Sequence, residues 1–310
     1  MILNANLNDS CTIHVYISPP TMKTFEKSFD GIIRYNVYQK ISSGTFGYVY
    51  KTNNNLNTKT VAMKVTDLKL ETNGNEVTNI LNLIKDKKYV KYVPEFYHVF
   101  YNEDAYCIVM EYLDGSHFDN KYFKQNISTI WQARKLCKKV LKAVDYFHTN
   151  KYVLNDLKWD NIIIDSKGNP KIIDFGLMHH MNHDHNCIKG AVLFLPPESY
   201  QHINSRGKKD IWSFGIMVYQ FFIGGDCPFD NLISSNDSPN AINKYDFDIN
   251  NLQSTIDNMK LTFITKMTHT FGNGKITSKY IQKMWDMIAD CLTIKYYYRP
   301  TAKQLIKKYL

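Results

Sequence analysis

The sequence lacks any segment suited to cross a membrane. Its longest apolar run, Ile211 to Gly224, is interrupted by Ser213 and Gln220 and is too short to span a bilayer. The first residues show no basic stretch followed by an apolar core, which is the pattern of a secretory signal. These absences predict a soluble protein that works inside a cell.

Paired cysteines are missing as well. The six cysteines repeat no short interval: Cys11, Cys107, Cys137, Cys187, Cys227 and Cys291. Scattered thiols of this kind argue against a disulfide framework and against a zinc ribbon. We therefore expect reduced cysteines and no structural metal.

What the chain does have is a globular composition with a basic charge. Its 310 residues are 44% hydrophobic, which is enough for one large core or two lobes. The net charge of +9 comes from dispersed lysines and could attract nucleic acid or acidic proteins. Because no nucleic-acid-binding motif accompanies these lysines, a solvated basic surface is the simpler interpretation.

The apolar pattern divides the chain into two parts. Residues 1–32 have no firm period and read as an N-terminal extension. Alternation then predicts antiparallel strands at 35–41, 48–52, 60–66, 96–101 and 105–110, with one helix over 77–84. After Tyr112 helical spacing dominates, and it predicts helices over 133–147, 211–222, 281–292 and 301–310. The polar segment 232–274 is weakly patterned and yields no reliable element.

These patterns predict an α+β fold. A small lobe of antiparallel strands with one main helix would cover residues 33–112. A larger, mostly helical lobe would cover residues 113–310, and both lobes would belong to one domain.

One short run carries the strongest functional signal. Asp156, Lys158 and Asn161 follow one another within six residues, and Asp174-Phe175-Gly176 comes after a short strand-like segment. A carboxylate can orient a hydroxyl proton, an amine can neutralise phosphate charge, and carboxylate and amide oxygens bind Mg²⁺. Each residue alone is typical of a turn, but this order and spacing indicate phosphoryl transfer from ATP.

Further motifs complete a family pattern. They lie at residues 42–49, 61–64, 110–113, 196–198 and 210–215. Together with the run around Asp156 they resemble the eukaryotic-type Ser/Thr protein kinases, over nearly everything from Ile41 to Leu310. Among these kinases the chain looks most similar to viral ones, of the baculovirus protein kinase 1 group. The resemblance implies the bilobal protein kinase fold and transfer of the γ-phosphate of Mg-ATP to Ser or Thr hydroxyls of proteins.

The resemblance also implies a role for each motif residue. The catalytic residues would be Asp156, Lys158, Lys64 and Glu76, with Glu71 as the alternative partner of Lys64. Residues around the nucleotide would be Ile41, Ser42, Gly44, Phe46, Gly47, Val49, Ala62, Lys64, Met110, Glu111, Leu113 and Ile163. Asn161 and Asp174 would hold Mg²⁺, or Mn²⁺ in its place. Arg299 would form an ion pair with Glu198.

Several positions depart from the family pattern. Ser42 replaces a glycine, and Leu154-Asn155 stands where His-Arg is usual. Asn155 cannot supply the charge that captures an activation-loop phosphate, and residues 177–195 contain no Ser, Thr or Tyr. We therefore expect activity without phosphorylation of that loop. Ala191 replaces a threonine, and its missing hydroxyl predicts weaker positioning of Lys158, by about 1 kcal/mol.

The same loop is rich in possible metal ligands: His179, His180, His183, Asp184, His185 and Cys187. Their spacing matches no standard zinc site, so a solvent-facing loop is the favoured interpretation over metal binding.

Two other functions stay open. The chain could be a nucleotide-binding pseudokinase or scaffold, which the departures at 42, 154, 155 and 191 favour, or a kinase of small molecules or lipids. The baculovirus resemblance implies a basic, DNA-condensing viral protein as substrate. It also implies a location in the host cytoplasm, the host nucleus or the virion, without membrane attachment.

Overall fold

A computed structural model describes residues 12–15, 33–44, 47–54, 59–67, 75–85, 87–101, 105–182, 190–235 and 245–310. The chain forms two compact units that divide after Asp114. Strands dominate the first unit and helices the second, so the predicted α+β class is confirmed. Within the described ranges, no helix combines the length and apolar character that a membrane span requires.

The first unit is built on one antiparallel sheet. Its elements are β1 Thr12–Val15, β2 Ile33–Gly44, β3 Gly47–Asn54, β4 Thr60–Asp67, α1 Asn75–Leu83, β5 Phe96–Tyr101 and β6 Ala105–Glu111. The strands lie in the order β1-β2-β3-β4-β6-β5. Strand β1 pairs with the start of β2, so part of the segment interpreted as an extension is an edge strand of this sheet.

Alternation along β4 separates the two faces of the sheet. Val61 and Met63 pack with Val109 of β6 in an apolar cluster on one face. Because successive side chains of a strand point to opposite faces, Ala62 and Lys64 lie on the other. The register places Ala62 opposite Met110 of β6, so these two predicted nucleotide contacts share a face with Lys64.

The second unit combines helices with short strands. Its strands are β7 Gly115–His117, β8 Tyr152–Val153, β9 Ile162–Asp165, β10 Pro170–Ile172, β11 His179–His180, β12 Ile233–Ser235 and β13 Tyr245–Phe247. Its helices are α2 Asn120–Asn126, α3 Ile130–Thr149, α4 Pro197–Tyr200, α5 Lys208–Ile223, α6 Leu252–Phe271, α7 Lys275–Cys291 and α8 Ala302–Tyr309. The short strands form a β10-β9-β7 sheet and the pairs β11-β8 and β12-β13.

Two long helices form the core that carries the catalytic loop. Helix α3 begins with a capping box between Thr129 and Gln132 and buries its predicted apolar stripe. Helix α5 is apolar on all sides and buried along most of its length, as the sequence predicts. Its Gly215 lies so close to α7 that an added Cβ would sit 2.7 Å from the Cβ of Cys291.

Helix α6 is the largest element without a prediction. It spans 20 residues inside the segment 232–274. Its buried side chains are Leu252, Ile256, Met259, Phe263 and Met267, which follow helical spacing. The exposed Leu261 lies off this stripe, so the apolar residues of the segment do not all follow one helical face in the sequence.

Candidate active site

The carboxylate of Asp156 is held from three directions. Its Oδ1 accepts a hydrogen bond from the backbone N–H of Ala191 at 2.9 Å. Its Oδ2 accepts one from the side-chain amide of Asn161 at 2.8 Å and lies 2.9 Å from Nζ of Lys158. Three predicted site residues therefore meet around one carboxylate, whose orientation is fixed by its neighbours.

The contact with Ala191 is one that the sequence did not predict. The missing threonine hydroxyl predicts weaker positioning of Lys158, which stays a prediction, and the structure adds a separate bond from the backbone N–H of Ala191 to Asp156. Because a backbone N–H belongs to every residue except proline, this bond does not depend on the side chain.

A buried aspartate beneath the loop fixes the backbone before Asp156. Asp210, at the start of α5, is fully buried. Its two carboxylate oxygens accept the backbone N–H groups of Leu154 and Asn155, each at 2.9 Å. Its Oδ2 also lies 2.9 Å from Nε2 of His148 on α3. Sequence reasoning did not assign this function to Asp210 or His148, although an aspartate that opens an apolar helix is itself a signal.

The two predicted metal ligands lie on adjoining chain segments. Asn161 ends a 3₁₀ turn before β9, and Asp174 follows β10, the partner of β9. The backbone N–H of Ile173 donates to the carbonyl of Asn161 at 3.1 Å, which brings the two positions together. The Asn161 amide nitrogen points at Asp156, so its side-chain oxygen is directed elsewhere. One amide oxygen and one carboxylate form a donor set that suits a hard divalent cation.

In the first unit, Lys64 pairs with Glu76. Nζ of Lys64 lies 2.6 Å from Oε1 of Glu76, in the first turn of α1. The hydroxyl of Tyr106 donates to the other carboxylate oxygen at 3.0 Å. Glu76 is 3% exposed, so the lysine gives a buried carboxylate the counter-charge that it requires. The alternative partner, Glu71, lies outside the described residues.

The predicted glycine loop is formed by β2 and β3. Gly44 pairs with Gly47, and an added Cβ on Gly47 would lie 1.9 Å from the carbonyl oxygen of Val65. Only glycine fits there without a shift of the backbone. Ser42 and Val49 lie opposite each other in the two strands, and Ile41 is exposed. Phe46, predicted beside the nucleotide, lies outside the described residues.

The predicted hinge, residues 110–113, begins with the last two residues of β6. Met110 is buried, and Glu111 and Leu113 are half-buried. The backbone N–H of Glu111 donates to the carbonyl of Glu95 at 2.8 Å, so a bond from Glu111 to a nucleotide base would use its carbonyl. Ile163, in the second unit, is half-buried on β9.

A cavity of about 690 Å³ lies beside the catalytic loop. Lys158 and Asp160 contribute to its wall, together with Asp119, Asp226 and Asp230. Partial burial raises the pKa of Asp160, an effect that the charges of Lys158 and His117 oppose. The cavity borders the same loop as Asp156, and among its charged side chains the four carboxylates outnumber the two amines of Lys121 and Lys158, which suits a segment that carries positive charge.

The predicted ion pair behind this cavity is present. Arg299 and Glu198 form two hydrogen bonds, of 2.8 and 3.1 Å, and both side chains are buried. Ser213 of α5 donates to the carbonyl of Phe194 at 2.8 Å, and Tyr200 donates to that of Val192 at 2.9 Å. These bonds hold the cavity wall to the helical core.

Of the six possible metal ligands in the loop, only His179 and His180 are described. They form β11, which pairs with β8. His183, Asp184, His185 and Cys187 lie outside the described residues. Across the ranges that the structure covers, no three His, Cys, Asp or Glu side chains gather as a metal site would require.

Comparison with known proteins agrees with this geometry. The family model described as protein kinase domain matches residues 35–310. The serine/threonine-protein kinase dst1 of Dictyostelium discoideum is 26% identical over 88% of this chain and 34% of its own length. The CBL-interacting serine/threonine-protein kinase 8 of Arabidopsis thaliana is 30% identical over 69% of this chain and 48% of its own length. The serine/threonine-protein kinase TIO, also of Arabidopsis thaliana, is 29% identical over 63% of this chain.

The matched part is less than half the length of each of these relatives. The match to the family model nevertheless covers most of the present chain. This chain therefore belongs to the protein kinase domain family.

Proposed function

We propose that the chain is a protein kinase that transfers the γ-phosphate of ATP to serine and threonine hydroxyls of proteins. The observation that carries the proposal is the carboxylate of Asp156, which is held by Ala191 and Asn161 and lies 2.9 Å from the amine of Lys158. The names of the matched relatives, all serine/threonine-protein kinases, support this substrate class.

Asp156 would accept or orient the proton of the substrate hydroxyl. Its two oxygens are fixed by neighbours on different segments, so little reorganisation is needed when the substrate arrives. Lys158 would neutralise charge on the transferred phosphate. Lys64, oriented by Glu76, would bind the α- and β-phosphates, and the glycine at position 47 would let the backbone approach them.

Asn161 and Asp174 would hold the divalent cations, Mg²⁺ or Mn²⁺. Their oxygen donors fit such ions, and the two residues flank the β9-β10 hairpin, with Asn161 also bonded to Asp156. When bound, the cations neutralise charge that develops on the phosphates. Asn161 has a second task, since its amide nitrogen orients Asp156.

We also propose that this kinase needs no phosphate on the loop after Asp174. Residues 177–195 offer no hydroxyl to phosphorylate, and Asn155 carries no charge to bind a phosphate. Treatment with a phosphatase should leave the rate of phosphate transfer unchanged. A loss of activity after this treatment would contradict the proposal.

The acidic cavity favours substrates with basic residues near the phosphorylated hydroxyl. Asp160 and its acidic neighbours could pair with such residues. A basic, DNA-condensing protein, predicted from the baculovirus resemblance, has this property. The viral origin, the location in a host cell or virion and the residue limits of the lobes stay predictions from the sequence.

The deciding experiment measures transfer of radiolabelled phosphate. Asp156→Asn should lower kcat by about 10²- to 10⁴-fold, since a positioned general base contributes that much. The matched control is Asp257→Asn, which removes an exposed carboxylate of α6 and should leave kcat unchanged. Equal rates for wild type and Asp156→Asn would indicate a pseudokinase or scaffold. Transfer to metabolites or lipids, with none to mixed proteins, would indicate a small-molecule kinase.

A further inference from the structure

Asn155 makes side-chain contacts that the proposed reaction does not use. The residue directly precedes Asp156, is 4% exposed, and has a φ of 65°, in the left-handed region that asparagine tolerates better than most residues. Its side-chain nitrogen lies 2.6 Å from the carbonyl oxygen of Leu177 and 2.5 Å from Nδ1 of His179. The side chain therefore joins the catalytic loop to the segment that follows Asp174.

These contacts fix the protonation of His179. The carbonyl of Leu177 can only accept a hydrogen bond, so the amide nitrogen of Asn155 must face it. That nitrogen carries hydrogens and no lone pair to offer, and the same nitrogen faces Nδ1 of His179. Nδ1 must therefore be the acceptor, which places the imidazole hydrogen on Nε2. A protonated His179 would also carry a hydrogen on Nδ1. That hydrogen would face the hydrogens of the Asn155 amide nitrogen, and the contact would break.

Two stretches that follow Asp174 in sequence, residues 177–182 and residues 190–191, both contact the strand or loop that contains Asn155. In the first stretch, His179 and His180 pair with β8, and the N–H of Met181 donates to the carbonyl of Lys151 at 2.7 Å. The second stretch begins at Gly190, where an added Cβ would lie 2.4 Å from the carbonyl oxygen of Asn155. The next residue, Ala191, bonds Asp156. Displacing Asn155 would thus disturb both stretches, and Asp156 with them.

We propose that Asn155 and His179 are a positioning pair that fastens this segment to the catalytic loop while His179 is neutral. The pair acts through Asp156 and does not touch the reacting atoms. The inference deepens the proposed kinase activity and rests on it. The link consists of uncharged hydrogen bonds inside the fold, so it needs no phosphate.

Other titratable groups surround the pair. His180 follows on the same strand, and the ring of Tyr152 on β8 meets it edge to face. Burial raises the pKa of Tyr152, so that phenol stays neutral. Asp210 binds the backbone of Asn155, and His148 faces Asp210.

Two variants of His179 distinguish its role as a hydrogen-bond acceptor from the effect of its protonation. In His179→Asn, the side-chain oxygen can take the place of Nδ1 as an acceptor that does not titrate. In His179→Leu, no acceptor remains. The control is His180→Asn, which alters the neighbouring histidine and leaves the pair intact. Steady-state kinetics between pH 5.5 and 8.5 and hydrogen exchange of the Met181 and Ala191 amides are measured for each.

We expect kcat of the wild type and of His180→Asn to fall as the pH drops and His179 becomes protonated. His179→Asn should match the wild type near pH 8 and lose this fall. His179→Leu should lower kcat by about tenfold at pH 8, with KM for ATP unchanged, and speed exchange of both amides.

The proposal is overturned if His179→Leu leaves exchange of both amides at the wild-type rate, or if His179→Asn keeps the acid-side fall of the wild type. A wild-type protein that phosphorylates no substrate would refute the proposed function instead. Faster exchange in His179→Leu would then still establish the fastening, because that measurement needs no catalysis.

Discussion

Replacing Glu198 by leucine removes one half of a fully buried ion pair. Arg299 is 0% exposed, and each of its five N–H groups has a hydrogen-bond partner. Two of these bonds go to Glu198 and the others to the carbonyls of Thr293 and Lys208. Its guanidinium also lies 5.0 Å from the ring centroid of Trp212. Glu198→Leu would leave a charged group buried without its counter-charge.

The expected cost is large for that reason. Removing one partner of a buried pair destabilises a protein by about 3 to 5 kcal/mol, because the remaining charge stays desolvated. With a denaturant slope of about 3 kcal/mol per molar urea, the unfolding midpoint should fall by roughly 1 to 2 M. The double variant Glu198→Leu/Arg299→Leu should cost less than the sum of the single variants, by about 1 kcal/mol or more.

Urea unfolding followed by circular dichroism measures these differences. Lys308→Met is the matched control, because it breaks an ion pair with Asp290 whose lysine side chain is 61% exposed. That pair is solvated, and its loss should cost less than about 1 kcal/mol. The reasoning would be refuted if Glu198→Leu unfolded within about 1 kcal/mol of the wild type, or if the two ion pairs proved equally important.

Three further predictions follow from close contacts and burial. Gly47→Ala places a Cβ 1.9 Å from a backbone oxygen, so it should lower stability by about 1 to 3 kcal/mol in urea unfolding and raise KM for ATP several-fold; unchanged values would contradict the contact. Asp210→Asn replaces one of the two carboxylate oxygens that accept the N–H groups of Leu154 and Asn155 with a donor. This variant should lower kcat by about tenfold in steady-state kinetics, and a wild-type kcat would show that Asp210 does not support the catalytic loop. Burial raises the pKa of Cys107 to about 11 and that of Cys137 and Cys227 to about 12. These thiols should resist iodoacetamide in the folded protein at pH 8 and react after unfolding, and rapid labelling located by mass spectrometry would refute this.

Local patterns predicted the residues that act within one loop or strand. The strands around Lys64 alternate with period two, and the order of Asp156, Lys158 and Asn161 lies within six residues. Lys64 and Glu76 are 12 positions apart, and the helical spacing after Glu76 was enough to choose it over Glu71. In each case the residues that form the sequence pattern are also the residues that form the local structure.

Contacts between distant segments gave no such signal. Asp210 meets Leu154 across 56 positions, and Asn155 meets His179 across 24. Helix α6 was missed for another reason, because its exposed Leu261 mixes with the buried stripe. Strand β1 has only four residues and is defined by its pairing with β2 rather than by its own pattern.

At position 191 the backbone contacts the catalytic loop, which a pattern of side chains does not predict. The missing threonine hydroxyl concerns a different contact, and weaker positioning of Lys158 stays a prediction. In the structure the bond to Asp156 comes from the N–H of Ala191, whose position is set by the tight passage of Gly190 against the carbonyl of Asn155. Gly190 has a φ of 117°, which few other residues adopt. The orientation of Asp156 thus depends on backbone geometry at 190 and 191, which the identity of a single side chain does not reveal.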